Sequence, residues 1–337
     1  MSAAAESAAV LVVGPSWVGD MVMAQSLFKL LKARQPGRAI DVLAPAWSLP
    51  IVRRMPEVRE AFALDTGHGE IGLGKRRRVA RQLPAYAQAI VLPRSLKAAL
   101  VPWFAGVPRR TGFRGESRYV LINDTRPFDR SVLDQTVKRF AALGLEPGES
   151  LPVELPEPRL DVDGERQAAL SEQLGLDISR PVVAFMPGAE YGPAKCWPLE
   201  HFGTLAAMLD AGGYRVWILG SDKDRAAGER IAALGPAVNL CGRTKLVDTI
   251  DLLALTRQVV SNDSGLMHVA AAVGTRVHGV YGSSSPDFTP PLTANRTIHY
   301  LRLDCSPCFE RDCPLGHLNC LKEIAPERIR DAIGAAD

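Results

Sequence analysis

The sequence predicts an α/β fold with two domains facing a central cleft. Three observations carry that expectation. Short β-branched runs alternate with segments of helical periodicity, the pattern of a parallel sheet covered on both faces. The alternation pauses once, over residues 146–164, and then restarts. The chain of 337 residues is also long for one hydrophobic core.

In the first half, Val10–Val13 is a β-branched run ending at Gly14, and residues 21–31 follow with helical spacing. Residues 39–43, 61–64 and 89–92 are further buried-strand candidates, each followed by a helix or turn. The segment "EPGESLPVELPEPRLDVDG" (146–164) carries four prolines and several acids, a linker composition. Beyond it, Val182–Met186, residues 214–219, 237–240 and 258–261, and Arg276–Val280 read as strands separated by helices. The expected boundaries are a first domain over 1–160, a second over 161–325 and a C-terminal helix over 326–337. Ligands of such units bind at the carboxyl ends of the strands, in the cleft.

Apolar content of 47% and charged content of 23% are those of a soluble globular protein. No apolar run approaches the roughly 18 residues of a membrane span. The start lacks a basic region before its apolar run and carries Glu6, so no signal peptide is expected and the cytoplasm is the expected compartment. A net charge of +3 is too small to argue for nucleic acid. Its distribution is uneven, because "GKRRRVAR" (74–81) and "VPRRTGFRGESR" (107–118) concentrate cations. These stretches, with Lys75, Arg76, Arg77, Arg78, Arg109 and Arg110, are either solvated surface or a face turned to a polyanionic substrate or an anionic membrane.

The turn after the first strand, "GPSWVGD", is neither G-x-G-x-x-G nor a P-loop. It places Asp20 in the first turn of a helix, either as an acid favoured by the helix dipole or as a base kept ionised there. Ser16 and Trp17 shape a pocket beside it or fill the turn. In the second half, Lys195 lies in a Gly- and Pro-bearing loop after a strand, where its ammonium meets a pyrophosphate or solvent. The segment "SNDSGLMH" turns from a strand into a helix near Ser264, so backbone N–H groups at Ser264 and Gly265 offer an anion site, and His268 adds a donor. The alternative there is Asp263 as an N-cap and His268 as a satisfied core residue. Asp222 and Asp224 follow another strand, and Asp222 either accepts from a ribose hydroxyl or caps the next helix. Finally, Cys305-x2-Cys308-x4-Cys313-x6-Cys320 encloses His317. Half of that spacing suits zinc and half does not, and reduced thiols knitting the C-terminal segment are preferred over a metal site.

Together "GPSWVGDMVMAQSLF", "AKCWPLEHF", "SNDSGLMHVAAAVG", "YGSSSPDFTPP" and "CSPCFERDCPLGH" resemble the ADP-heptose–lipopolysaccharide heptosyltransferases over nearly the whole chain. The first and last of these wordings look like the family's II type. The resemblance implies two Rossmann-like domains in the B-type glycosyltransferase architecture. It implies inverting transfer of L-glycero-D-manno-heptose from ADP-heptose to the first heptose of the inner core. It gives Asp20 the role of base, Lys195 that of phosphate ligand, and Asp263, Ser264, Gly265 and His268 the donor diphosphate and sugar. No cofactor or metal is required on this reading. The partners are ADP-heptose and a phosphorylated, lipid-anchored acceptor, the enzyme being a monomer in peripheral contact with the inner membrane. A I-type heptosyltransferase or another ADP-sugar transferase is the nearest alternative. An NAD-dependent oxidoreductase is disfavoured because Gly14-Pro15 supplies no G-x-G turn and Asp41 precedes its strand rather than ending it. A non-enzymatic lipopolysaccharide-binding protein is disfavoured by the full set of donor-site residues.

Overall fold

The computed structural model describes residues 9–67 and 70–334. The chain divides into two units, Met1–Pro158 and Arg159–Asp337. The first holds β1 (Val10–Val13), β2 (Ile40–Ala44), β3 (Val58–Ala63), β4 (Gln88–Val91), β5 (Arg109–Phe113) and β6 (Asp124–Arg126). All pair in parallel, in the order β3-β2-β1-β4-β5-β6. That is the doubly wound order, whose reversal falls between β1 and β4. Its helices are α1 (Val18–Arg34), α2 (Leu49–Val52), α3 (Leu73–Gln82), α4 (Leu100–Phe104) and α5 (Thr136–Ala142).

The second unit repeats the design with β7 (Val182–Met186), β8 (Arg215–Ile218), β9 (Val238–Asn239), β10 (Gln258–Asn262), β11 (Arg276–Val280) and β12 (Arg296–His299). Its order, β12-β11-β10-β7-β8-β9, is again parallel throughout and reverses between β7 and β10. Around it lie α6 (Gly164–Leu174), α7 (Leu199–Ala211), α8 (Arg225–Leu234), α9 (Leu246–Ala254), α10 (Gly265–Ala272), α11 (Asn319–Lys322) and α12 (Pro326–Ile333).

The central strands β1, β2, β4, β7 and β10 are buried at every position, which is why they read as continuous runs rather than alternating ones. Strands β5, β6 and β12 go beyond the sequence expectation, because their charged and polar residues look like loop. In β5 and β6 those charges are satisfied inside the sheet margin. Arg109 meets Asp124 at 2.8 Å and Glu146 at 2.6 Å, and the Thr111 hydroxyl donates to Asp124 at 2.8 Å.

Asp41 lies inside β2 rather than ahead of its strand, and it is buried. A carboxylate is tolerated there because it is paired. Arg59 donates to it from Nε at 2.9 Å and Nη2 at 2.5 Å, and the Tyr86 hydroxyl donates at 2.7 Å.

Residues 151–163 form neither helix nor strand, but they are tied down. The Ser26 hydroxyl donates to the Pro156 carbonyl at 2.7 Å in the first unit. In the second, Leu160 N–H donates to Ala272, and Asp163 caps α6 by accepting from Glu165 and Arg166 N–H. The helix expected over 326–337 runs Pro326–Ile333, with Ile329 and Ile333 in the second unit's core. The last three residues lie outside those described.

Candidate functional site

In the first unit the site elements gather at the carboxyl end of β1. Gly14 N–H extends the sheet by donating to the Leu43 carbonyl at 2.9 Å. A Cβ on Gly14 would stand 2.5 Å from Met21 Cε, so glycine allows the first turn of α1 to fold back on the strand end. Trp17 is the N-cap of α1, and Asp20 is the one acid of its first turn, half-buried, where the helix dipole favours its anion. A residue absent from the sequence expectations completes this edge. Trp47, just past β2, donates from Nε1 to the Ser16 carbonyl at 2.9 Å. Trp17 and Trp47 are 56% and 48% exposed, so two indoles and a carboxylate border one strand end. The signal available for Trp47 is a tryptophan shortly beyond a strand that neighbours β1.

In the second unit the structure brings Lys195 and Asp263 together, at 2.5 Å between Nζ and Oδ2. Lys195 closes the short turn Pro193–Lys195 after β7, and Asp263 follows the last residue of β10. Buried Asn262 sets this geometry. Its Nδ2 donates to the Pro187 carbonyl at 2.6 Å, and its Oδ1 accepts from Trp197 N–H at 3.0 Å, so one amide clamps both ends of the Lys195 loop. In the sequence Asn262 reads only as part of the turn. An amide at the buried carboxyl end of a central strand is the available sign.

Asp263 is therefore an ion-pair partner rather than the cap. Ser264, in extended conformation, is the N-cap of α10, its side chain making no cap bond, and Gly265 is the first helical residue. The backbone N–H groups here open the helix towards an anion. His268 lies one turn in and is buried, and its Nδ1 has no partner among the described residues. Burial pushes its imidazole down to about 4, Asp263 opposing and Lys195 adding to the shift, so the ring is neutral at pH 7.

The cysteine segment packs against the same loop. Ala194 N–H donates to the Arg311 carbonyl at 3.0 Å, and the Tyr191 hydroxyl donates to the Phe309 carbonyl at 2.7 Å. Lys195 Nζ and the Arg311 guanidinium both lie over the Tyr191 ring, at 5.3 and 5.6 Å. Cys305, Cys308, Cys313, Cys320 and His317 line a small pocket with Ser283. All four thiols are free. Backbone N–H groups, first that of Leu318, hold the Cys313 thiol below its usual value, whereas burial pushes Cys320 up to about 11. Among the described residues no three His, Cys, Asp or Glu side chains are placed to share a metal ion.

Other expected positions fare differently. Asp222 does not cap the following helix. Ser221 and Asp224 form the capping box, and exposed Asp222 pairs with Arg225 at 2.6 Å. Arg76 is removed from the basic surface, being 3% exposed with Nε donating to the Ile71 carbonyl at 2.6 Å. It shares the inward face of α3 with Ala80, one turn on. Arg77 and Arg78 remain exposed. Arg110 directs its donors at the Leu121 and Val107 carbonyls, and Arg109 at Asp124 and Glu146, so both staple β5.

The sequence profile of glycosyltransferase family 9 (heptosyltransferase) matches residues 76–319. Lipopolysaccharide heptosyltransferase 2 of Escherichia coli K12 is 44% identical over 339 residues, covering 97% of each chain. Lipooligosaccharide heptosyltransferase 2 of Haemophilus influenzae is 45% identical, covering 94% of this chain and 96% of that one. Among solved structures, that of E. coli ADP-heptose lipopolysaccharide heptosyltransferase II superposes with a TM-score of 0.85 at 41% identity, covering 96% and 97%.

Proposed function

The chain belongs to glycosyltransferase family 9, the heptosyltransferases, and we propose that it moves L-glycero-D-manno-heptose from ADP-heptose to the first heptose of the lipopolysaccharide inner core, inverting the anomeric centre. The observation that carries the acceptor assignment is similarity over nearly the full length to heptosyltransferase 2 proteins. The donor assignment rests on the name of the similar E. coli structure and on the Lys195–Asp263 pair at the head of α10.

Single-displacement transfer needs a base on the acceptor hydroxyl and positive charge on the departing diphosphate. Asp20 is the base: it takes the hydroxyl proton as the acceptor oxygen attacks C1 and the C1–O bond to ADP breaks. Lys195 and the N–H groups at Ser264 and Gly265 take up the charge that develops on ADP. Neutral His268 donates to a phosphate or sugar oxygen. Asp263 holds Lys195 in place until the diphosphate arrives, and Asp222 meets the ribose. Ser16 and Trp17 border the acceptor. No helix of the described residues is long and apolar enough to cross a membrane, and the enzyme works as a monomer resting on the cytoplasmic face of the inner membrane, where its lipid-anchored acceptor lies.

Asp20→Asn tests the assignment of the base. Turnover falls by about 10²–10⁴ while ADP affinity stays near that of the wild type. Unchanged turnover removes Asp20 from the mechanism.

A further inference from the structure

Helix α3 reads Leu-Gly-Lys-Arg-Arg-Arg-Val-Ala-Arg-Gln and contains no acid. Arg76 and Ala80 face inward, while Arg77, Arg78 and Arg81 are exposed, as is Leu73 at the helix's first position. Lys75 is engaged by Glu70 at 3.2 Å, but Arg77, Arg78 and Arg81 form no ion pair among the described residues. The Arg77 guanidinium sits 5.0 Å above the Phe104 ring of α4, and the Trp103 ring lies 5.1 Å from Phe104. Leu73 is 54% exposed, Ile71 57% and Trp103 42%. One continuous surface thus joins Leu73, Arg77, Phe104 and Trp103, with Arg78 and Arg81 at its side.

Neither half of this patch is unusual alone. Solvated cations and scattered exposed apolar residues are ordinary surface. Unpaired arginines set against exposed Trp, Leu and Ile are different, because water satisfies only one of the two components. A bilayer interface satisfies both: tryptophan settles at the headgroup level, apolar side chains enter the acyl boundary, and arginine stems lie along it with their charges on anionic lipid.

We infer that the exposed face of α3 and α4 docks on an anionic lipid bilayer. This deepens the functional reading above and rests on it for one point, that the acceptor is lipid-anchored. The charge on the patch commits it to an acidic leaflet rather than a neutral one. The docking residues are separate from Asp20 and from the donor pair, so docking concentrates the enzyme where its acceptor lies and takes no part in the chemistry.

The test is co-sedimentation of the full chain with phosphatidylcholine vesicles, with and without phosphatidylglycerol. The wild type binds only the anionic vesicles, and salt releases it. Arg77→Glu/Arg78→Glu weakens binding by at least about 30-fold, the loss expected from two interfacial cations. Leu73→Glu/Trp103→Glu weakens it comparably and keeps wild-type kcat/KM on a deacylated, water-soluble acceptor. Brominated lipids quench tryptophan emission in the wild type and less in Trp103→Phe, a readout that needs no disruptive change.

Equal binding to neutral vesicles, or vesicle binding unaltered in both variants, overturns the inference and leaves heptose transfer untouched. So does a rise in KM for the soluble acceptor in Arg77→Glu/Arg78→Glu with vesicle binding intact, which would give those arginines to the acceptor. Anionic-vesicle binding by a wild type that transfers no heptose to the soluble acceptor supports the docking surface and sinks the proposed function instead.

Discussion

Removal of the Lys195 ammonium separates its two roles. In the free protein that charge is neutralised by Asp263 at 2.5 Å, and in the proposed mechanism it faces the departing diphosphate. Lys195→Ala therefore costs about 10²–10³ in kcat, the loss typical of one preorganised charge-stabilising donor. It also leaves the buried Asp263 carboxylate without its cation, turned towards an incoming anion. Two unit charges about 5 Å apart at an effective dielectric near 20 repel by about 3 kcal/mol, roughly 100-fold in Kd for ADP. Lys195→Ala/Asp263→Asn removes the repulsion with little change of shape. The double variant then recovers ADP affinity to within about tenfold of the wild type, while kcat stays low. Titration calorimetry with ADP and an ADP-release assay read the two quantities separately, and the full cycle yields a coupling of about 1–3 kcal/mol. Wild-type ADP affinity in Lys195→Ala, or a double variant that binds no tighter than the single, refutes the pairing argument.

Further outcomes follow from other parts of the structure. Buried His278 and His299 stack in one chain with Gln258, and burial pushes them down to about 3 and about 4. The unfolded chain takes up protons from about pH 6.5 that the folded one refuses, so this stability is complete above 6.5 and is lost as pH falls towards 4. Urea unfolding of the wild type between pH 6.5 and 5 should be steeper in pH than that of His278→Gln/His299→Gln by about 2 kcal/mol per pH unit; equal slopes contradict it. Asp41→Ala strips Arg59 and Tyr86 of their shared acceptor and should cost about 2–3 kcal/mol in urea melts, with ADP affinity unchanged. A Cβ on Gly192 would stand 2.5 Å from the Arg311 carbonyl oxygen. Gly192→Ala should accordingly displace the Lys195 loop and raise Kd for ADP about tenfold, whereas normal ADP binding would detach the cysteine segment from the positioning of Lys195.

The doubly wound architecture is legible in the sequence wherever strands are buried on both faces, as in β1, β7 and β10, because burial there leaves no choice but apolar residues. Strands β5, β6 and β12 are concealed, since their Arg, Asp and His side chains are satisfied by partners in neighbouring strands and loops. Asp20, Lys195 and Asp263 can be read as candidates because each follows a strand end, where α/β units bind their ligands. Asn262, Trp47 and Arg311 cannot, since what they do depends on groups far away in sequence: the Pro187 carbonyl, the Ser16 carbonyl and the Tyr191 ring. Arg76 shows the limit of reading charge alone. It is indistinguishable in composition from Arg77 and Arg78, and only the helical phase shared with Ala80 turns it inward.

The central claim is the addition of the second heptose. The measurement that tests it most directly is ADP release from ADP-heptose, with the core acceptor offered either bare or already carrying one heptose. The account predicts turnover only on the heptosylated acceptor. Turnover on the bare acceptor, or none on either despite tight ADP binding, would contradict it.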